Sequence, residues 1–210
     1  MLTAEDLTFA YPHGQHLLSL WNAEFRPGAI TAVVAQPGRG SSTVLALLGL
    51  LLRPQSGRIL LAGTDVGAAS DAARADLRAG TFGYVFDEPL LDAGRTVAEN
   101  ILAGAAFRDQ ARGELESATR SLLARFDLAP HENAPAAALT PDQQQLVAVC
   151  RALLSAPPII LADEPTRALS NRQALSVLHA LSDHADAGGT VVIATADERV
   201  AEGCDERIDL

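Results

Sequence analysis

Apolar and polar positions along this chain change their period several times, and the changes mark its elements. Near the N-terminus, Leu7–Tyr11, Leu17–Phe25 and Arg58–Leu61 read as strands, broken by the turns Pro12-His13-Gly14 and Arg26-Pro27-Gly28. Ala29–Ala35 is an uninterrupted apolar run, the pattern of a strand covered on both faces, and it leads into a glycine-bearing loop. A helix is predicted from Ser41 to about Leu50, another over the alanine-rich stretch Ala69–Ala79, and a strand over Gly80–Phe86. From about Thr96 to Ser155 the period is helical. Leu115, Ala118, Leu122, Leu123 and Phe126 recur at three- and four-residue spacing, and Glu116 and Arg120 are expected to pair on the outer face. Ala134–Ala138 reads as a short bend. Strand patterns return at Ile159–Ala162 and Thr190–Thr195, with a helix from about Leu169 to His184 between them. The result is an α/β fold in one domain over residues 1–210. Its core comes from 1–94 and 156–210, and a helical subdomain over 95–155 is inserted between them.

Composition narrows the class. A chain of 210 residues, 48% hydrophobic, is large enough to bury one sizeable core. Its formal charge of -10 argues against a nucleic-acid partner, which calls for a basic face. The longest apolar run, Val44–Leu52, falls well short of the roughly 20 residues that cross a bilayer, and Met1–Asp6 has no signal-peptide pattern. Cys150 and Cys204 lie far apart without metal-ligand spacing, so they read as packing residues in a reducing compartment. The sequence stops soon after the last predicted strand, so no regulatory C-terminal domain is expected.

The chemistry concentrates in two places. Pro158-Ile159-Ile160-Leu161-Ala162-Asp163-Glu164-Pro165-Thr166 is a buried parallel strand that ends in two acidic residues. In nucleotide hydrolases such a strand brings one carboxylate to the water shell of Mg²⁺ and the next to the attacking water. Two readings stand for this pair: a Mg²⁺ and general-base site, or a strand end held by local hydrogen bonds. The accompanying phosphate loop is Ala35-Gln36-Pro37-Gly38-Arg39-Gly40-Ser41-Ser42-Thr43, with serine where a phosphate-gripping lysine belongs. All 16 basic residues of the chain are arginine.

Order and spacing carry a resemblance. Tyr11, this loop, Gly83-Tyr84-Val85-Phe86, Thr96-Val97-Ala98-Glu99-Asn100-Ile101, Leu139-Thr140-Pro141-Asp142-Gln143 through Arg151-Ala152-Leu153, and Asp163-Glu164-Pro165-Thr166 together resemble the nucleotide-binding domain of ABC transporters. The similarity covers essentially the whole chain. Leu51-Leu52-Arg53-Pro54-Gln55-Ser56-Gly57 and Gly63-Thr64-Asp65-Val66 look like the lipoprotein-release, macrolide-export and bacteriocin-export branch. The resemblance implies a P-loop (RecA-like) parallel sheet with an N-terminal antiparallel β subdomain and the inserted helical subdomain. It also implies two such domains sandwiching two ATP molecules with Mg²⁺, each site pairing one phosphate loop with the other domain's signature loop. Permease subunits would dock on Tyr84–Asn100, placing the chain at the cytoplasmic face of the membrane. Proteins of chromosome maintenance and DNA repair are disfavoured, since no long coiled coil or zinc insertion is present.

Residue by residue, the resemblance breaks at the phosphate contacts. Backbone N–H groups from Gly38 to Thr43 can still form an anion nest at a helix N-terminus, and Ser42 takes the place of the Mg²⁺-binding hydroxyl. Ala35 replaces the first glycine and Ser41 the lysine. That loss weakens transition-state stabilisation by about 3 kcal/mol or more. Arg39 is the nearby cation that would have to replace it. Tyr11 stands where an aromatic stacks on adenine, or is simply a tyrosine at the sheet rim. Asp87 replaces a glutamine and cannot donate when ionised. In the signature loop, Thr140, Pro141, Asp142 and Gln143 replace Ser-Gly-Gly-Gln. Pro141 has no N–H to give, and a charge on Asp142 about 5 Å from a phosphate charge repels it by about 3 kcal/mol at an effective dielectric near 20. As a helix start the same residues are favourable: threonine cap, proline in the first turn, an acid, then glutamine three after the cap. Ser170 replaces an aspartate in the loop coupling the two sites, and Ala196 a histidine at the γ-phosphate. The leading expectation is an ABC subunit that binds ATP weakly, hydrolyses little, and pairs with a different ATPase domain. An active ATPase using Arg39, or a scaffold outside transport, are the alternatives.

Overall fold

The computed structural model describes residues 1–12, 16–36, 39–106 and 110–210. His13 and Gly14 of the first predicted turn, and Pro37 and Gly38 of the phosphate loop, lie outside the described residues. In chain order the first half forms β1 (Leu2–Ala10), β2 (His16–Phe25), β3 (Ala29–Val34), α1 (Ser41–Leu48), β4 (Ser56–Leu61), β5 (Thr64–Asp65), α2 (Asp71–Thr81) and β6 (Phe82–Val85). The second half forms α3 (Val97–Leu102), α4 (Arg112–Arg125), α5 (Pro141–Leu153), β7 (Ile159–Asp163), α6 (Asn171–Asp186), β8 (Thr190–Thr195), α7 (Glu198–Glu202) and β9 (Glu206–Asp209).

A five-stranded parallel sheet runs in the order β6-β7-β8-β3-β9, and a four-stranded antiparallel sheet in the order β2-β1-β4-β5. The continuous apolar runs of β3, β7 and β8 follow from their position, since both faces of the parallel sheet are covered. Successive side chains feed opposite cores. Ile160, Ala162, Val191 and Ile193 pack with Val97, Ile101, Leu123, Leu146 and Leu181 of the helices. Ile159, Leu161, Val192 and Ala194 pack with Val44 and Leu47 of α1 and with Leu2, Leu7 and Phe25 of the antiparallel sheet. Among the described residues no helix is long and apolar enough to cross a membrane.

The structure corrects four sequence expectations. The first strand begins at Leu2 rather than Leu7 and ends at Ala10, leaving Tyr11 just beyond it. Leu2 and Ala4 are buried at even positions, Leu7 and Phe9 at odd ones. The register shift between Ala4 and Leu7, with Asp6 at φ 48°, inverts the alternation and hides the strand's first half. Glu116 pairs with Arg112 at 2.9 Å, one turn before it, rather than with Arg120. The bend at Ala134–Ala138 contains a 3-10 helical turn over Ala136–Ala138. Beyond the last predicted strand the chain adds α7 and the edge strand β9, whose one apolar residue in four gives no periodic signal.

Candidate functional site

The parallel strands β3, β6, β7 and β8 end at one edge, and every candidate residue from the core lies there. β3 ends at Val34, and α1 begins at Ser41 after Gly40, which caps it at φ 100°. Only glycine fits: a Cβ at Gly40 would come within 2.4 Å of the Leu17 side chain. Arg39 is exposed, its N–H bonded to the Gln36 carbonyl at 2.9 Å, and its guanidinium has no partner among the described residues. Thr43 is buried, and its hydroxyl lies 3.1 Å from the Tyr11 hydroxyl. Tyr11 therefore bridges the antiparallel sheet to α1 while half its surface stays exposed beside the loop.

Across the edge, β7 delivers Asp163 and Glu164. Asp163 hydrogen-bonds to Ser42, and its Oδ1 is buried without a partner among the described residues. Burial raises its proton affinity, the Ser42 bond opposes this, and the charges of Asp87 and Glu164 raise it further. An orphaned carboxylate oxygen beside a serine hydroxyl fits the first two ligands of Mg²⁺. Among the described residues no three His, Cys, Asp or Glu side chains converge to hold a metal by themselves, so the remaining ligands would come from phosphate and water.

Glu164, at φ 43°, is held from every side. It receives the Thr195 hydroxyl at 3.2 Å and the Ala196 N–H at 2.9 Å, while its own N–H binds the Ala194 carbonyl at 2.9 Å. Arg167 lies 3.2 Å from its Oε1 and at the same time 2.5 Å from Asp87 Oδ2. Sequence reasoning missed Arg167. Its spacing of three from Glu164 is a weak local signal, and Asp87 is 80 residues away. A cavity of about 480 Å³ opens beside Glu164 and Arg167, walled by Leu169, Leu175, Asp197 and Arg199.

Thr140, Pro141, Asp142 and Gln143 form the start of α5, as the capping pattern predicts. The Thr140 N–H donates to Gln143 Oε1 at 3.0 Å, and Pro141 takes the first turn, where no N–H is needed. Asp142 turns inward to its own chain: Oδ1 accepts from the Thr140 hydroxyl at 2.5 Å and Oδ2 from Gln173 Nε2 at 2.8 Å. Those bonds hold its carboxyl below the usual range. Gln173 also caps α6, its Oε1 accepting from Ser170 N–H at 2.9 Å. One amide thus ties the starts of both helices, a junction invisible in either local pattern.

The loop leaving β6 is clamped by α5. Gln145 Nε2 donates to the Phe86 carbonyl at 3.3 Å, and Arg151 donates to the Pro89 and Leu90 carbonyls at 2.8 and 2.9 Å. Leu90, at φ 48°, is 61% exposed and rims a cavity of about 410 Å³ shared with Leu51, Tyr84, Phe86 and Arg151.

Comparison with known proteins agrees with this geometry. A family model described as ABC transporter matches residues 18–167. This chain belongs to the ABC transporter family. It is an ABC transporter ATP-binding domain, and its relatives lie in the branch the sequence pointed to. It is 33% identical over 208 residues to the macrolide export ATP-binding/permease protein MacB of Salmonella typhimurium, covering 98% of this chain and 32% of that protein. It is 38% identical over 185 residues to the lipoprotein-releasing system ATP-binding protein LolD of Anaeromyxobacter dehalogenans, covering 87% of this chain and 77% of the other. The chain spans about a third of the length of the macrolide-export relatives. Its fold superimposes with a TM-score of 0.91, at 28% identity, on the dimeric post-hydrolysis state of the ATP-binding cassette MJ0796 bound to ADP and Pi, covering 100% of this chain and 94% of that one.

Proposed function

We propose that this ABC domain works within a membrane transporter chiefly as a partner and docking platform, binding Mg–ATP weakly and contributing little hydrolysis. One observation carries the reading. Glu164, where the family places its general base, is saturated by Thr195, the Ala196 N–H and Arg167. Asp142, at the signature position, is likewise bonded within its own chain. Ser42 and Asp163 would hold Mg²⁺, Tyr11 would flank the base, and Gly38 to Thr43 would face the phosphates. Bound there, the metal would offset phosphate charge. A second ABC domain with intact motifs is favoured as partner over another copy, since two copies would lack the lysine and signature glycines at both sites. The MJ0796 cassette, described as dimeric, and the relatives named for permease and release systems support pairing and docking. The surface over Tyr84–Asn100, with Leu90 displayed beside its groove, suits an apolar helix of a permease at the cytoplasmic membrane face.

Calorimetric titration with Mg–ATP, combined with ATP turnover of the assembled complex carrying Glu164→Gln, tests this. Weak binding and a change in turnover of less than about twofold are expected. A fall of about 100-fold, the size of a lost general base, defeats the proposal. A second reading has one observation in its favour, the exposed Arg39 guanidinium, which has no partner among the described residues. If Arg39 grips phosphate in place of lysine, Arg39→Ala abolishes Mg–ATP binding. If it does not, binding by that variant matches the parent.

A further inference from the structure

Arg167 lies on the turn that follows β7, its N–H bonded to the Glu164 carbonyl at 3.2 Å. Its planar guanidinium reaches two carboxylates from different strand ends, Asp87 through Nη1 and Glu164 through Nη2. A rigid fork suits this double contact in a way a lysine ammonium does not. Asp163 directly precedes Glu164 at the end of β7, so the guanidinium and the two carboxylates it bridges lie next to that residue. Asp87 and Glu164 thus share one guanidinium beside Asp163, at the place where a nucleotide's metal would sit.

The loop after β6 shows what this bridge does. Its carbonyls at Phe86, Pro89 and Leu90 are gripped by α5, and the Asp92 N–H donates to Asn100 Oδ1 at 2.8 Å. Those anchors all come from helices of the 95–155 stretch. The Asp87–Arg167 pair is the anchor that ties the same loop to β7 and Glu164. Removing it leaves the loop held by the helices and by its continuation from β6, without its side-chain tie to Glu164.

We propose that Arg167 is a positioning residue, an internal counter-cation that holds the loop after β6 and Glu164 together and does there what a divalent ion would otherwise do. The docking surface then keeps its shape without nucleotide. This rests on the proposed placement of the metal at Ser42 and Asp163, and its test uses neither nucleotide nor turnover. Failure here is therefore separate from failure of that proposal.

Two measurements on the whole chain decide it. Hydrogen–deuterium exchange of the peptide over 86–95 should run about 5- to 10-fold faster in Arg167→Gln than in the parent. Asp87→Asn should give the same acceleration, and the double variant no more than either single change, as one shared contact requires. Mn²⁺ alone, titrated by electron paramagnetic resonance, should bind Arg167→Gln about 10-fold more tightly than the parent, because Asp87 and Glu164 lose the cation they share. Arg167→Lys keeps the charge without the fork, so it should restore weak Mn²⁺ binding while exchange stays fast. Unchanged exchange in Arg167→Gln, additive effects in the double variant, or equal Mn²⁺ affinity in parent and Arg167→Gln each overturn the proposal.

Discussion

Placing glycines at the start of α5, as Pro141→Gly with Asp142→Gly, should make this protein less stable. Three contributions are lost. Asp142 accepts from Gln173 at 2.8 Å and from Thr140 at 2.5 Å near solvent, a charged contact contributing about 0.5–1 kcal/mol after screening. Its charge in the first turn of α5 complements the helix dipole by roughly 0.5 kcal/mol. Replacing proline and aspartate by glycine adds unfolded-chain entropy of about 0.4–1 kcal/mol. The sum is about 2 kcal/mol, a melting temperature lower by about 4–8 °C for a domain of this size. Differential scanning calorimetry and urea unfolding at pH 7 measure it. The Asp142 share has a pH signature. Its folded carboxyl titrates below the ordinary 3.8, so its stabilisation is complete above that value and disappears as pH falls through the lower folded one. Asp142→Asn should therefore lose part of the effect at pH 7 and none at strongly acid pH. A glycine variant as stable as the parent refutes the view that this loop is built as a helix cap.

Three further expectations follow from particular contacts. Gly104→Ala places a Cβ 2.2 Å from the Arg151 carbonyl, so α5 must shift, and a loss of about 1–3 kcal/mol should appear in urea unfolding. Burial holds the His184 ring below its usual 6.5 against a backbone hydrogen bond with Pro157, and its Nε2 has no partner among the described residues. The unfolded chain takes up that proton first, so stability is full above about pH 6.5 and falls as pH drops toward the folded value. His184→Gln should flatten the difference between melting at pH 7.5 and 5.5. Leu90→Ser removes an exposed apolar side chain from the groove rim, so co-purification with a permease should drop while the melting temperature moves by less than about 2 °C.

Much of the architecture is legible in the spacing of apolar residues. Ala29–Val34, Ile159–Asp163 and Thr190–Thr195 announce themselves because strands covered on both faces must be apolar at nearly every position. The start of α5 is equally clear, because capping is a matter of four consecutive residues. The first half of β1 is not, because a bulge at Asp6 reverses the alternation on which the reading depends. Strand β9 is hidden too, since an edge strand beside β3 buries little.

Residue order alone is enough for the succession of strands and helices and for the family. What the remaining polar groups do depends on how the chain packs. Arg167 joins Asp87 to Glu164, Gln173 joins Asp142 to Ser170, and Arg151 grips the Leu90 carbonyl. Burial imposes a period on neighbouring residues, which a sequence records locally. A charge or amide instead takes whichever partner the packed chain brings within about 3 Å, and nothing in the local pattern names that partner.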